Sequence, residues 1–194
     1  CALHEILKDL KIGVSSANTL INKGLAIEIS KTVVRDAYND EFSDTCDFVK
    51  HDISLTDEQN QATQEIIDAL RKKTFQPHLL QGVTGSGKTE VYFQAMEEVL
   101  ALGGGVLFLV PEVALAPQTV SRVRNRFTSG KEEVVVWHSH LSAGERLDAW
   151  QALTSGRSRI AVGARSAIFA PVQNLKLIII DEEHEPAYKQ EENP

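Results

Sequence analysis

Apolar positions along the chain fall at helical spacing first and at strand spacing afterwards. Leu3, Ile6, Leu7 and Leu10 recur every three or four residues and predict a short helix. Ala17, Leu20 and Ile21 predict a second helix over residues 15–23 with those three side chains inward, stopped by Gly24. Residues 25–30 (Leu-Ala-Ile-Glu-Ile-Ser) then alternate apolar and polar as a strand does, and Val33-Val34 opens a return partner. Tyr38 to Asp52 changes texture: Asp40, Glu41, Asp44, Asp47 and Asp52 break up a few aromatics, the pattern of a linker lying on the surface.

From residue 55 the pattern is that of a larger α/β unit. Thr56 is placed to cap a helix, with Gln59 three positions on completing a capping box and Ala62, Ile66, Ile67, Ala69 and Leu70 forming the buried face. Leu79-Leu80-Gln81 predicts the end of a buried strand. It turns at residues 82–87 into a helix from Lys88 that carries Val91, Tyr92, Ala95, Met96, Val99 and Leu100. Continuous apolar runs at 105–110, ended by Pro111, and at 134–137, 159–163 and 175–180 have the composition of strands buried on both faces. Helices are predicted between them over 114–127, with Arg122, Arg124 and Arg126 on a solvated face, and over 143–153. The fold class that follows is α/β, a parallel sheet flanked by helices of the RecA-like P-loop kind. The first stretch, helix, turn, helix and strand pair, has the order of a small winged-helix domain. We place the domains at 1–52, a winged-helix-like domain with its linker, and 53–194. With no arginine-rich helix in it, the first domain is either a DNA-docking or an interdomain packing element.

Composition narrows the function. A formal charge of −7 on 194 residues argues against a broadly basic surface that coats nucleic acid, so any DNA contact is local. Cys1 and Cys46 have no ligand pattern around them, which fits a reducing cytosol and gives no zinc site. No apolar run has the length of a membrane span and the first residues lack the features of a signal peptide; no membrane partner is expected.

Chemistry concentrates at two places. Gly82, Gly85 and Gly87 allow positive φ, so that successive N–H groups of Gly82, Thr84, Gly85, Ser86 and Gly87 turn inward and cradle phosphate at the positive end of the following helix. Lys88 then reaches the outer phosphates and the Thr89 hydroxyl is a ligand for Mg²⁺. Gln59, just upstream, offers a donor and an acceptor that match the edge of adenine as well as a helix cap. The second place is Asp181-Glu182, at the end of the strand 175–180: Asp181 is placed to hold Mg²⁺ through water and Glu182 to orient and deprotonate an attacking water. Arg165 and Ser166, in a polar turn after 159–163, are candidate binding groups because ligands of open parallel sheets gather at the carboxyl ends of strands. His138 and His140 lie close in sequence but without further ligands, so no metal is expected there.

Residues 181–184 (Asp-Glu-Glu-His) resemble the DExH box of superfamily 2 helicases. With residues 82–92, 109–118, 138–142, Glu145-Arg146, Trp150 and 181–190, the chain is similar to bacterial replication-restart helicases of that superfamily. The similarity is close over about 55–194 and one of layout alone over 1–52. It implies ATP-driven 3′ to 5′ translocation on single-stranded DNA and unwinding of stalled replication forks, with forked DNA, primosome proteins and single-stranded DNA-binding protein as partners in the bacterial cytoplasm, at the nucleoid. The resemblance assigns Lys88, Asp181 and Glu182 to catalysis, Thr89 and Asp181 to Mg²⁺, Gln59 to the adenine of ATP, and Pro111, Glu112, Gln118, Arg165 and Ser166 to the DNA strand. His140 stands where a glycine is common and Ala164 where a threonine often precedes the arginine. The resemblance also places a second motor lobe with an arginine finger, and a zinc-binding cysteine-rich region, beyond Pro194, so this chain alone is expected to bind nucleotide weakly without useful hydrolysis. Two other readings are a P-loop enzyme of another class, such as a nucleotide kinase, and a DNA-binding module whose ATPase lobe is scaffold.

Overall fold

The computed structural model describes residues 14–25, 27, 54–111, 115, 117–127 and 133–188. The chain divides into two compact units, Cys1–Val34 and Arg35–Pro194. In the first, α1 (Val14–Asn22) ends in a Schellman closure: the Gly24 N–H donates to Ile21 O at 2.9 Å and the Leu25 N–H to Leu20 O at 3.0 Å. Gly24 thus stops the helix as expected, but Leu20 is exposed rather than turned inward. The expected helix over 3–10, the rest of the strand pair over 25–34 and the linker over 38–52 lie outside the described residues.

The second unit begins with α2 (Asp57–Lys72). Its Thr56 cap accepts the Gln59 N–H while the Gln59 side chain accepts the Thr56 N–H, the reciprocal box read from the sequence. After α3 (Lys88–Ala101) come β1 (Gly105–Leu109), α4 (Pro117–Phe127), β2 (Glu133–Trp137), α5 (Ala143–Thr154), β3 (Ser158–Gly163), a 3₁₀ turn (Arg165–Phe169), β4 (Leu175–Ile180) and a last 3₁₀ turn (Pro186–Tyr188). The four strands form one parallel sheet in the order β2-β3-β1-β4.

Strand alternation divides the core cleanly. Val106, Phe108, Val134, Val136, Ile160 and Val162 point to one face, where Phe93, Met96 and Val99 of α3 and Val120, Val123 and Phe127 of α4 cover them. Leu107, Leu109, Val135, Trp137 and Ala161 point to the other, against Ala152 and Leu153 of α5. Both faces are covered, so β1, β2 and β3 read as unbroken apolar runs.

Two expectations fail at the sheet edge. Strand β4 is not fully buried: Ile179 faces the α3 side and is covered, but Ile178 and Ile180 are each 48% exposed. They lie on the face that α5 covers over β2 and β3 but not over β4. The expected strand at Leu79–Gln81 is also absent; residues 74–80 form no strand and Leu79 is 80% exposed. Two leucines between Pro77-His78 and Gln81-Gly82 bury too little apolar surface to offset the entropy of ordering the segment.

Candidate nucleotide-binding site

The glycine-rich loop enters α3 through a left-handed turn. Gly85 has φ 81° and Gly87 φ 80°, and Gly87 is the N-cap of α3 with no side-chain cap. The N–H groups of the first turn of α3, which have no intrahelical acceptor, therefore begin at the loop, where a phosphate would replace the missing cap. The Lys88 ammonium folds over the loop and donates to Gly82 O at 2.7 Å and Val83 O at 3.2 Å. Gln59 ties α2 to the same loop: its Nε2 donates to Ser86 O at 2.8 Å while its Oε1 accepts the Thr56 N–H at 2.9 Å. One amide hydrogen and one oxygen lone pair remain, enough for a base edge alongside the cap.

The carboxylates stand at the carboxyl end of β4. The Asp181 N–H donates to Leu109 O at 2.9 Å and extends the pairing with β1, after which residues 181–184 turn with Glu182 in the left-handed region at φ 48°. Two tyrosines hold Asp181. Tyr92 of α3 donates its hydroxyl to Asp181 Oδ1 at 3.3 Å, and Tyr188 donates to the Asp181 carbonyl at 3.1 Å. Burial, and next the neighbouring charge of Glu182, push the Asp181 carboxyl up from its ordinary value; the Tyr92 hydroxyl, the Glu182 N–H and the Lys88 ammonium pull it back. Burial and the adjacent acids push both phenols up as well, so they are neutral donors at ordinary pH. His184 Nε2 lies 3.6 Å from Glu182 Oε2.

The electrostatic effect of Lys88 on Asp181, and the bond from Tyr92 on the same helix as Lys88 and Thr89, bring the loop and the acidic turn into one neighbourhood. The donor set there, a threonine hydroxyl and a half-buried carboxylate, is of hard oxygens. Among the described residues no group of three or more His, Cys, Asp or Glu could hold a metal unaided. Magnesium suits such a site, because it keeps several waters and takes one or two protein oxygens together with phosphates.

Parallel strands put their carboxyl ends on one edge of the sheet, and Arg165, Ser166 and Pro111 fall there. Arg165 is exposed and Ser166 half-buried in the 3₁₀ turn after β3. Gly163 must lack a side chain, since a Cβ there would run into the Trp137 backbone and Ala167. Pro111, after β1, is fully buried and its carbonyl accepts the Leu115 N–H at 3.0 Å. Gln118 lies in the first turn of α4, and Glu112 lies outside the described residues. At the end of β2 the His140 N–H donates to His138 Nδ1 at 3.2 Å.

Sequence reasoning missed the tyrosines. Tyr92 sits in the apolar stripe of α3 and its hydroxyl was the single sign that it does more than pack. Arg126 was expected in solvent, but its guanidinium bonds Glu97 at 2.8 Å and Glu90 at 3.0 Å.

The family model described as type III restriction enzyme, res subunit, matches residues 52–193. The chain belongs to this family. It is also 48% identical over 191 residues to the replication restart protein PriA of Bacillus subtilis, covering 98% of the chain and 23% of that protein. Against PriA of Chlamydia pneumoniae it is 49% identical over 140 residues, 72% of the chain and 18% of the relative. Against PriA of Synechocystis sp. it is 40% identical over 188 residues, 97% of the chain and 21% of the relative. The chain thus spans about a fifth of the length of these relatives. The alignment with the Bacillus protein extends into residues 1–52, so there is a likeness of sequence there too.

Proposed function

We propose that this member of the res-subunit family is the first motor lobe of a replication-restart DNA helicase, preceded by a winged-helix region over residues 1–52. The observation that carries the reading is the contact between two halves of one site: Tyr92, four residues after Lys88, bonds Asp181 across the sheet edge. A phosphate loop joined to an acidic strand end is the arrangement that nucleoside triphosphate hydrolysis needs. The likeness to replication restart proteins supports a role in replication restart; in this reading the activity is ATP-dependent 3′ to 5′ unwinding and remodelling of stalled forks for primosome assembly, in the bacterial cytoplasm at the nucleoid.

In this reading the loop N–H groups and Lys88 bind the phosphates of ATP and Gln59 holds adenine with its remaining donor and acceptor. Thr89 and Asp181 hold magnesium, which when bound neutralises phosphate charge. Glu182 takes the proton of the attacking water. Its left-handed backbone turns the side chain away from the strand direction, a strain consistent with a functional position. Arg165, Ser166, Glu112 and Gln118 contact the DNA strand. Forked and single-stranded DNA, primosome proteins and single-stranded DNA-binding protein are the partners.

The test is Lys88→Ala in a full-length protein carrying this chain. DNA-stimulated ATP hydrolysis is expected to fall by on the order of 10²-fold or more, with loss of fork unwinding and an unchanged melting temperature. Unwinding at the original rate would show that the loop is not the motor.

A further inference from the structure

Asp181 is gripped from two sides, and one of the grips is not needed for packing. Tyr92 packs its ring edge-on against Phe108 of β1, centroids 6.0 Å apart at 65°, and Phe108 is the register partner of Ile179, two residues before Asp181. A phenylalanine would fill that space as well. The hydroxyl adds the burial of a polar group, and it donates to Asp181 Oδ1. Asp181 itself heads a turn whose next residue holds a left-handed φ, so nothing in the strand ladder fixes its carboxylate, whereas Tyr188 pins its carbonyl from the turn beyond. Tyr92 also lies three residues after Thr89 and four after Lys88, on the same side of one helix.

From this geometry, and resting on the nucleotide-site reading above, we infer that Tyr92 is a positioning residue: its hydroxyl orients the Asp181 carboxylate for a divalent cation, and Tyr188 steadies the backbone that carries it. At 3.3 Å the Tyr92 bond is long for an O–H···O contact, which leaves the carboxylate room to adjust as a cation arrives without losing its guide. Because the guide and the phosphate-binding lysine share one helix, the carboxylate is held in register with the phosphate end of the site.

The measurement is the affinity of the chain for a fluorescent, non-hydrolysable ATP analogue, with magnesium chloride and with chelator, in the wild type and in Tyr92→Phe, Tyr188→Phe, Asp181→Asn and Lys88→Ala. Tyr92→Phe is expected to leave the metal-free affinity within about twofold and to reduce the magnesium-dependent gain by about five- to tenfold, the loss of one guiding hydrogen bond to a metal ligand. Tyr188→Phe reduces the gain less. Asp181→Asn abolishes it, and adding Tyr92→Phe to Asp181→Asn changes nothing further, a dependence that a purely structural tyrosine would not show. A full magnesium gain in Tyr92→Phe overturns the inference while leaving the nucleotide site intact. No magnesium gain in the wild type overturns it too, since there is then no cation to orient. Unchanged metal-free binding in Lys88→Ala sinks the underlying reading instead.

Discussion

Asp181 is the residue at which burial and function pull against each other. Its carboxyl is raised in the folded chain, chiefly by burial and then by Glu182, so the folded state keeps that proton to higher pH than the unfolded chain does. Between the unfolded carboxyl value, about 3.9, and the raised folded one, the native state holds more protons, and this group's contribution makes stability fall as pH rises through that window. Urea midpoints measured from acid to neutral pH should show that fall in the wild type and a flatter profile in Asp181→Asn. Parallel profiles would contradict it. A second residue is costly without evident return: Thr63 of α2 is buried and its Oγ1 has no hydrogen-bond partner among the described residues. Thr63→Val keeps the shape and removes the orphan hydroxyl, so it should raise stability by about 0.5–1.5 kcal/mol in a urea titration. Lys88, Thr89 and Asp181 stand out in the sequence as candidates because each is marked by its immediate neighbours, a glycine loop or the end of an apolar run. Tyr92 and Tyr188 do not, since the bond from Tyr92 to Asp181 spans 89 residues and no local pattern encodes it.

At the scale of elements, α3 is the part that must not drift, because it carries Lys88, Thr89 and Tyr92 together. It is pinned on two sides. Arg126 of α4 reaches Glu90 and Glu97, and Arg71 of α2 reaches Glu98 at 2.8 Å. The two pins differ in burial: the Arg126 side chain is 26% exposed and its Glu90 partner 12%, whereas Arg71 is 59% exposed. Arg126→Ala should therefore cost about 1.5–3 kcal/mol and Arg71→Ala under about 1 kcal/mol, read from paired denaturant titrations; a reversed order would show that burial does not rank these pins. A helix start was legible at Thr56, where a capping box announces the turn, and the structure shows a second box at α5, where the Ser142 N–H donates to Glu145 at 2.8 Å. The edge of the sheet was less legible. The run at 175–180 is as apolar as those of β1 and β2, yet it ends up half-covered, because its exposure depends on which strands α5 spans, a tertiary fact absent from any window of sequence.

For the molecule as a whole, parallel pairing does most of the functional placement. It sends the carboxyl ends of β1, β3 and β4 to one edge, so that Pro111, Arg165 and Asp181, scattered along the sequence, leave the sheet on the same side. The α/β class followed from unbroken apolar runs between amphipathic helices, which only a sheet covered on both faces can bury. Within the described residues no helix is long and apolar enough to cross a membrane. The central claim is that the loop at Gly82–Thr89 binds a nucleoside triphosphate through Lys88. Calorimetric titration of ATP with magnesium into the chain tests it most directly. Saturable one-to-one binding is expected in the wild type, weakened at least about tenfold in Lys88→Ala by loss of charge-assisted bonds. Equal affinity of the two proteins, or no binding by the wild type, would contradict the account.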